Sequence, residues 1–137
     1  MSWVVDTCLI LDVLLSDASF GQSSANLIDR LQPEGLVVSP VAYIELAPAF
    51  LGVRKRQDDF LAAVGIDYKA PWLSIDTMQA HKAWARHIEL KRSGMEDKRP
   101  IADILIGAYA INRKGLLTRN SKDFASTFPS LKIITPL

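Results

Sequence analysis

Short aliphatic runs alternate along the chain with longer stretches whose apolar residues recur at helical spacing. Trp3-Val4-Val5 reads as a buried strand, followed by a helix carrying Leu9, Leu11, Leu14 and Leu15. Residues 22–32 form a second helical pattern, with Ala25, Leu27, Ile28 and Leu31 apolar, ending before Pro33. Gly35-Leu36-Val37-Val38-Ser39 is the next strand. Ser39 then caps a helix with Pro40 in its first turn, where a missing N–H costs nothing, and Pro48 breaks or kinks that helix. Helices are predicted over 54–65 and 76–92, with a short strand at Trp72-Leu73-Ser74-Ile75 between them. A polar loop at 93–99 leads into a helix from Pro100 to about Arg113. A strand over 115–118, a short helix at 121–127 and a strand over 132–135 complete the pattern.

Strands that are continuously aliphatic and separated by helices predict an α/β fold with a parallel sheet covered on both faces. In such sheets ligands bind at the carboxyl ends of the strands, near helix N-termini. Asp6, Thr118 and Asn120 directly follow strand ends. Asp103 falls in the first turn of its helix and Glu45 one turn into its own. The fold and the acidic residues converge on one edge.

Each acid also has a local explanation. Asp6, between a strand and a helix, is a natural N-cap, with Thr7 beside it. Glu45 shares a stripe with Val41, Ile44, Leu46 and Ala49, so an exposed position requires that stripe to face a cleft. Asp103 is favourably placed at a helix N-terminus. Its helix, however, is apolar nearly all round, and Gly107 and Ala110 on the same side imply a close neighbour. Asn120 followed by Asp123 is close to a capping box, which gives Asp123 a structural reading with an accessory contribution to a site beside it. The other acids, Asp12 and Asp76 among them, read as solvated, and His81 and His87 as surface residues. Cys8 reads as a buried, inert thiol.

At 137 residues the chain is predicted to be a single domain over 1–137. A net charge of +1 excludes a uniformly basic nucleic-acid surface, so any polynucleotide must meet a local patch. One cysteine permits no internal disulfide, and no apolar run approaches a membrane span; both point to the cytoplasm, with no membrane partner.

Three carboxylates converging on one point repel one another unless a divalent ion neutralises them. An all-oxygen set suits Mg²⁺ or Mn²⁺ rather than zinc. Such an ion lowers the pKa of a bound water and stabilises charge developing on a phosphate, the needs of phosphodiester hydrolysis. Lys98 and Arg99 precede Asp103, and Arg119 and Lys122 flank Asn120. Arg99 and Arg119, with Lys98, are the expected phosphate contacts. Thr118 and Asn120 are placed to hold an acid or a metal-bound water.

The strand-Asp-Thr start, the Ser-Pro-Val…Glu helix, the Ala-Asp-Ile-Leu-Ile-Gly-Ala helix and the Leu-Thr-Arg-Asn-Ser-Lys-Asp-Phe segment together resemble PIN domains. Within that family they are most similar to the VapC-like toxins of toxin–antitoxin pairs. The resemblance runs essentially end to end. It implies a three-layer α/β/α sandwich, Mg²⁺- or Mn²⁺-dependent endoribonuclease activity on an RNA substrate, frequent homodimers, and neutralisation by a cognate antitoxin. Asp6, Glu45 and Asp103 match the first three acids of the family. Many members carry a fourth acid where Asn120 stands here, and Asp123 is the nearest alternative.

The helical region 41–64, rich in Leu46, Phe50, Leu51, Phe60, Leu61 and Val64, reads equally as an antitoxin groove, a dimer face or a cap on the core. Two rivals are disfavoured by their motifs: Cys8 stands where phosphatases of the haloacid dehalogenase type usually carry a second Asp, and the strand at 35–38 ends in Ser39-Pro40 rather than in the phospho-accepting Asp of a response-regulator receiver. The remaining rival is a PIN-like module that binds RNA or protein without cutting.

Overall fold

A computed structural model describes residues 1–94 and 100–136. Among the described residues five strands, β1 (Trp3–Val5), β2 (Leu36–Val37), β3 (Ile66–Asp67), β4 (Gly115–Leu117) and β5 (Ile133–Ile134), form one sheet in the order β3-β2-β1-β4-β5. Every pairing is parallel. Seven α-helices lie among the described residues: α1 (Thr7–Leu14), α2 (Gly21–Leu31), α3 (Pro40–Glu45), α4 (Arg54–Ala63), α5 (Ser74–Arg92), α6 (Ile101–Ile111) and α7 (Ser121–Thr127). Parallel strands need crossovers, and the helices supply them while covering the sheet. Val4, Val5, Leu116 and Leu117 are fully buried at its centre, so the predicted α/β sandwich with a central parallel sheet is the fold observed.

The chain winds outward from β1 through β2 to β3, then returns to the other side of β1 to lay down β4 and β5. The reversal places a crevice at the carboxyl ends of β1 and β4, where adjacent connections diverge to opposite faces. Asp6 leaves β1 at that point, its N–H donating to the Leu117 carbonyl at 2.9 Å, and Thr118 leaves β4 beside it.

The expected strand at 72–75 is not formed. Ser74 and Ile75 instead begin α5, because the Asp76 carboxylate accepts from the Leu73 amide (2.8 Å) and caps the helix from within its first turn. The third strand lies earlier, just after Gly65, whose φ of 76° turns the chain out of α4. With only two residues, one of them the exposed Asp67, it left no apolar run to read. Pro48 acts as expected: α3 ends at Glu45 and continues as a 3-10 turn over Ala47–Phe50.

The 41–64 region mainly covers the core. Leu46, Phe50 and Leu61 are buried in it, and the Phe50 and Phe60 rings pack 5.7 Å apart, while Leu51 stays 80% exposed. The neighbour expected at Gly107 is Phe128: a Cβ there would lie 2.2 Å from the ring. No described helix is long and apolar enough to cross a membrane.

Candidate functional site

Asp6 caps α1, as its position after β1 implies, with Oδ1 accepting from the Thr7 amide at 2.8 Å. Its other oxygen, Oδ2, accepts from the Thr118 hydroxyl at 2.7 Å and from the Cys8 thiol at 3.5 Å. The residue is only 6% exposed. Burial raises its carboxyl above the ordinary range, outweighing the opposing hydrogen bonds from Thr118, Thr7 and Cys8 and the charge of Arg119. The cap accounts for one oxygen of Asp6 but not for the desolvation of the group.

Thr7 joins the first two acids. Its amide serves Asp6, and its hydroxyl donates to Glu45 Oε1 at 2.8 Å. Glu45 is exposed at the end of α3; of the apolar stripe, Val41 and the 70% exposed Ile44 face open space, while Leu46 is fully buried. That space is an apolar groove of about 510 Å³ between α3, α5 and α6, lined by Val41, Ile44, Trp72, Trp84, Ile101 and Ile104. Asp103 is half-buried in the first turn of α6, a helix that packs against both α3 and β1.

Among the described residues, no three His, Cys, Asp or Glu side chains stand close enough to enclose one ion. The donor chemistry still suits a hard cation. Mg²⁺ is commonly held by one or two carboxylates and keeps several waters. Asp6 and Glu45, bridged by Thr7, with Asp103 on the adjacent helix, offer such a set. A cation would also offset the desolvation that raises the Asp6 carboxyl.

Thr118 is fully buried, with its hydroxyl on Asp6 and its oxygen accepting from the Asn120 amide at 3.0 Å. Asn120 is exposed, and its side chain makes no cap bond to α7; the capping box expected with Asp123 does not form. Asp123 is exposed in the first turn of α7. Lys98 and Arg99 lie outside the described residues. Arg119 is committed within the protein, with Nε and Nη2 donating to the two oxygens of Asp12 at 2.8 and 3.0 Å.

Asp12 and Asp76, read as solvated, are both buried. Each has an arginine drawn from far along the chain, Arg119 and Arg113, which local sequence does not reveal. His87, read as a surface residue, is 1% exposed on the inner side of α5. Cys8 is half-buried rather than wholly enclosed. Its thiol is pushed up to about 11 by burial and the Asp6 carboxylate, so it remains protonated at neutral pH. The contact of Cys8 with Asp6 was not anticipated; its one signal in the sequence is that the two residues flank Thr7 at a strand–helix junction.

No family model matches the sequence, and no curated protein matches it. The fold does have a counterpart. A chain in the crystal structure of VapBC2 from Rickettsia felis, bound to a DNA fragment from their promoter, superposes with a TM-score of 0.74. The match covers 100% of both chains at 18% identity, so the likeness is one of fold. The architecture is PIN-like, as the motifs led one to expect.

Proposed function

We propose that this chain is a metal-dependent endoribonuclease, the toxin of a toxin–antitoxin pair. The observation that carries the reading is the Asp6 carboxylate. It is buried at the sheet's switch point, held on both oxygens, and linked through Thr7 to Glu45. A group that only capped α1 would gain nothing from being desolvated. A carboxylate awaiting a cation has reason to be held in one orientation before the ion arrives.

Asp6, Glu45 and Asp103 would hold the ion, Mg²⁺ or Mn²⁺. When bound, it supplies charge stabilisation at phosphate and a water of lowered pKa. The protein's own contribution is orientation. Thr118 and the Thr7 amide fix the two Asp6 oxygens, and the Thr7 hydroxyl fixes Glu45. Asn120 or Asp123, both exposed at the start of α7, would supply the remaining polar group of the site. Lys98 and Arg99, just before Asp103, are the basic residues assigned to the RNA phosphates.

The proposed partners are an RNA substrate, a cognate antitoxin and a second copy of the chain, acting in the cytoplasm. The VapBC2 likeness supports a protein partner of that kind.

The decisive experiment is incubation of total host RNA with highly purified protein under three conditions. These are Mg²⁺ or Mn²⁺, a chelator, and an Asp103→Asn variant. Discrete metal-dependent products that vanish with the variant are expected. Folded, antitoxin-free protein that cuts under no condition would leave the non-catalytic PIN-like binding module as the better reading.

A further inference from the structure

The segment that carries Thr118 onto Asp6 is itself anchored from behind. Arg119 grips Asp12 with two parallel N–H donors, at 2.8 and 3.0 Å. The Asp12 side chain is 4% exposed, and its Oδ2 also accepts from the fully buried Ser24 hydroxyl at 2.9 Å. The Arg119 guanidinium lies 4.2 Å from the centre of the Phe20 ring. Phe20 is set in turn by the Asp17 carboxylate, which accepts from the Ser19 and Phe20 amides, and by the Asp17 amide bonded to the Asp12 carbonyl. One guanidinium therefore joins α1 and the α1–α2 connection that follows it to the loop after β4, 107 residues further along the chain.

A two-pronged arginine–carboxylate pair fixes direction as well as distance. Arg119 stands between Thr118 and Asn120, the residues whose hydroxyl and amide form the bonded chain Asn120 N–H to Thr118 Oγ to Asp6 Oδ2. We propose that Asp12 and Arg119 are positioning residues. Their pair holds the Thr118–Asn120 turn so that the Thr118 hydroxyl orients the Asp6 carboxylate for its ion, and Arg119 serves this purpose rather than contacting RNA phosphate. The inference rests on the proposed role of Asp6 in holding a metal.

The test uses Asp12→Asn, which retains the Arg119 charge but loses the ionic pair. Arg119→Lys keeps the charge without the fork and serves if the first variant is too unstable. Nuclear magnetic resonance follows the Asn120 and Thr7 amides, and titration measures Mn²⁺ binding without any RNA. Expected are faster exchange and shifted signals at those two amides, with the β1–β2 ladder unchanged. Mn²⁺ affinity should fall about tenfold, the scale on which supporting groups tune a metal site. Unchanged Asn120 and Thr7 amides, or a uniform loosening of the whole sheet, would overturn the inference and leave the metal reading standing.

RNA binding separates the phosphate role. A salt slope reduced by about one in Arg119→Met, with Mn²⁺ affinity intact, would make Arg119 a phosphate ligand and overturn the positioning role. If the wild type bound no Mn²⁺ while the two amides responded as expected, the nuclease reading would fall, and Asp12 and Arg119 would still be what holds Thr118 to Asp6.

Discussion

Thr118 donates its hydroxyl to Asp6 at 2.7 Å across 112 residues of sequence, and both residues are buried. The bond joins the carboxyl ends of two adjacent parallel strands, β1 and β4. It is therefore a direct product of the sheet order, and it sets the orientation of the most desolvated acid in the site. Replacing Thr118 with Val keeps the shape and removes the donor. Asp6 Oδ2 then loses its strongest partner, and the Asn120 amide loses its acceptor. A stability loss of about 1–3 kcal/mol is expected in urea unfolding, together with weaker Mn²⁺ binding. Unchanged values of both would show the bond to be incidental.

The raised Asp6 carboxyl makes a pH-dependent prediction for metal-free protein. The folded state holds a proton more tightly here than the unfolded chain, whose carboxyl titrates near 3.8. The favourable contribution of Asp6 is full below that value and is lost as pH rises through the higher folded value. In chelator, Asp6→Asn should remove this decline and raise Tm at neutral pH, since Asn remains a good N-cap. The same variant should lose stabilisation by added Mn²⁺. A Tm for Asp6→Asn well below wild type in chelator would contradict the desolvation argument.

Glu45 offers the opposite balance. It is exposed, so Glu45→Gln should change stability by no more than about 0.5 kcal/mol. The Gln carbonyl can still accept from Thr7. Metal affinity, measured by calorimetry, should nevertheless fall by about tenfold or more. Equal Mn²⁺ binding in the two proteins would remove Glu45 from the site.

A second buried acid is purely structural. Asp76 accepts from Arg113, from Asn112 and from the Leu73 amide. Burial alone would raise its carboxyl, but the Arg113 pair and these hydrogen bonds outweigh it and hold it below the ordinary range. Its stabilising contribution is present above the unfolded value of 3.8 and is lost as pH falls through the lower folded value. Asp76→Asn leaves Arg113 without its charge partner. It should cost roughly 3–5 kcal/mol near neutrality and flatten the acid limb of the unfolding curve. RNA cleavage at temperatures well below the transition should be unaffected.

Gly107 tests close packing. Ala is favoured over Gly inside a helix by about 1 kcal/mol. Here the added Cβ would lie 2.2 Å from a Phe128 ring that is itself buried and has little room to retreat. Overpacking of about 1–3 kcal/mol should win, so Gly107→Ala lowers Tm. Combined with Phe128→Leu it should cost less than the sum of the two single changes, as a double-mutant cycle would read.

Much of this protein follows from local pattern. The aliphatic runs at Trp3–Val5 and Gly115–Leu117 read as buried strands, and the helices between them point to a parallel sheet. Ser39-Pro40 marked the start of α3, and its hydroxyl does cap the Ala42 amide at 3.0 Å. The junction residues Asp6 and Thr118 could be picked out because strand ends are where such sheets bind ligands. The strand expected over Trp72 to Ile75 is absent because a short apolar run also suits a helix start when a capping acid, Asp76, follows. Asp12 misled for the same kind of reason: a lone acid in a helix reads as solvated unless its partner is known.

The sequence by itself determined four of the five strands, the helices that cover them and the place of Asp6 at the end of β1, because periodicity and capping act between residues a few positions apart. Only the tertiary structure decided which of those polar groups meet. Thr7 bridges Asp6 to Glu45, Thr118 orients Asp6, and Arg119 is held by Asp12 rather than left facing solvent. Those pairings depend on strand order and on which desolvated charges must find partners, and both are properties of the assembled fold.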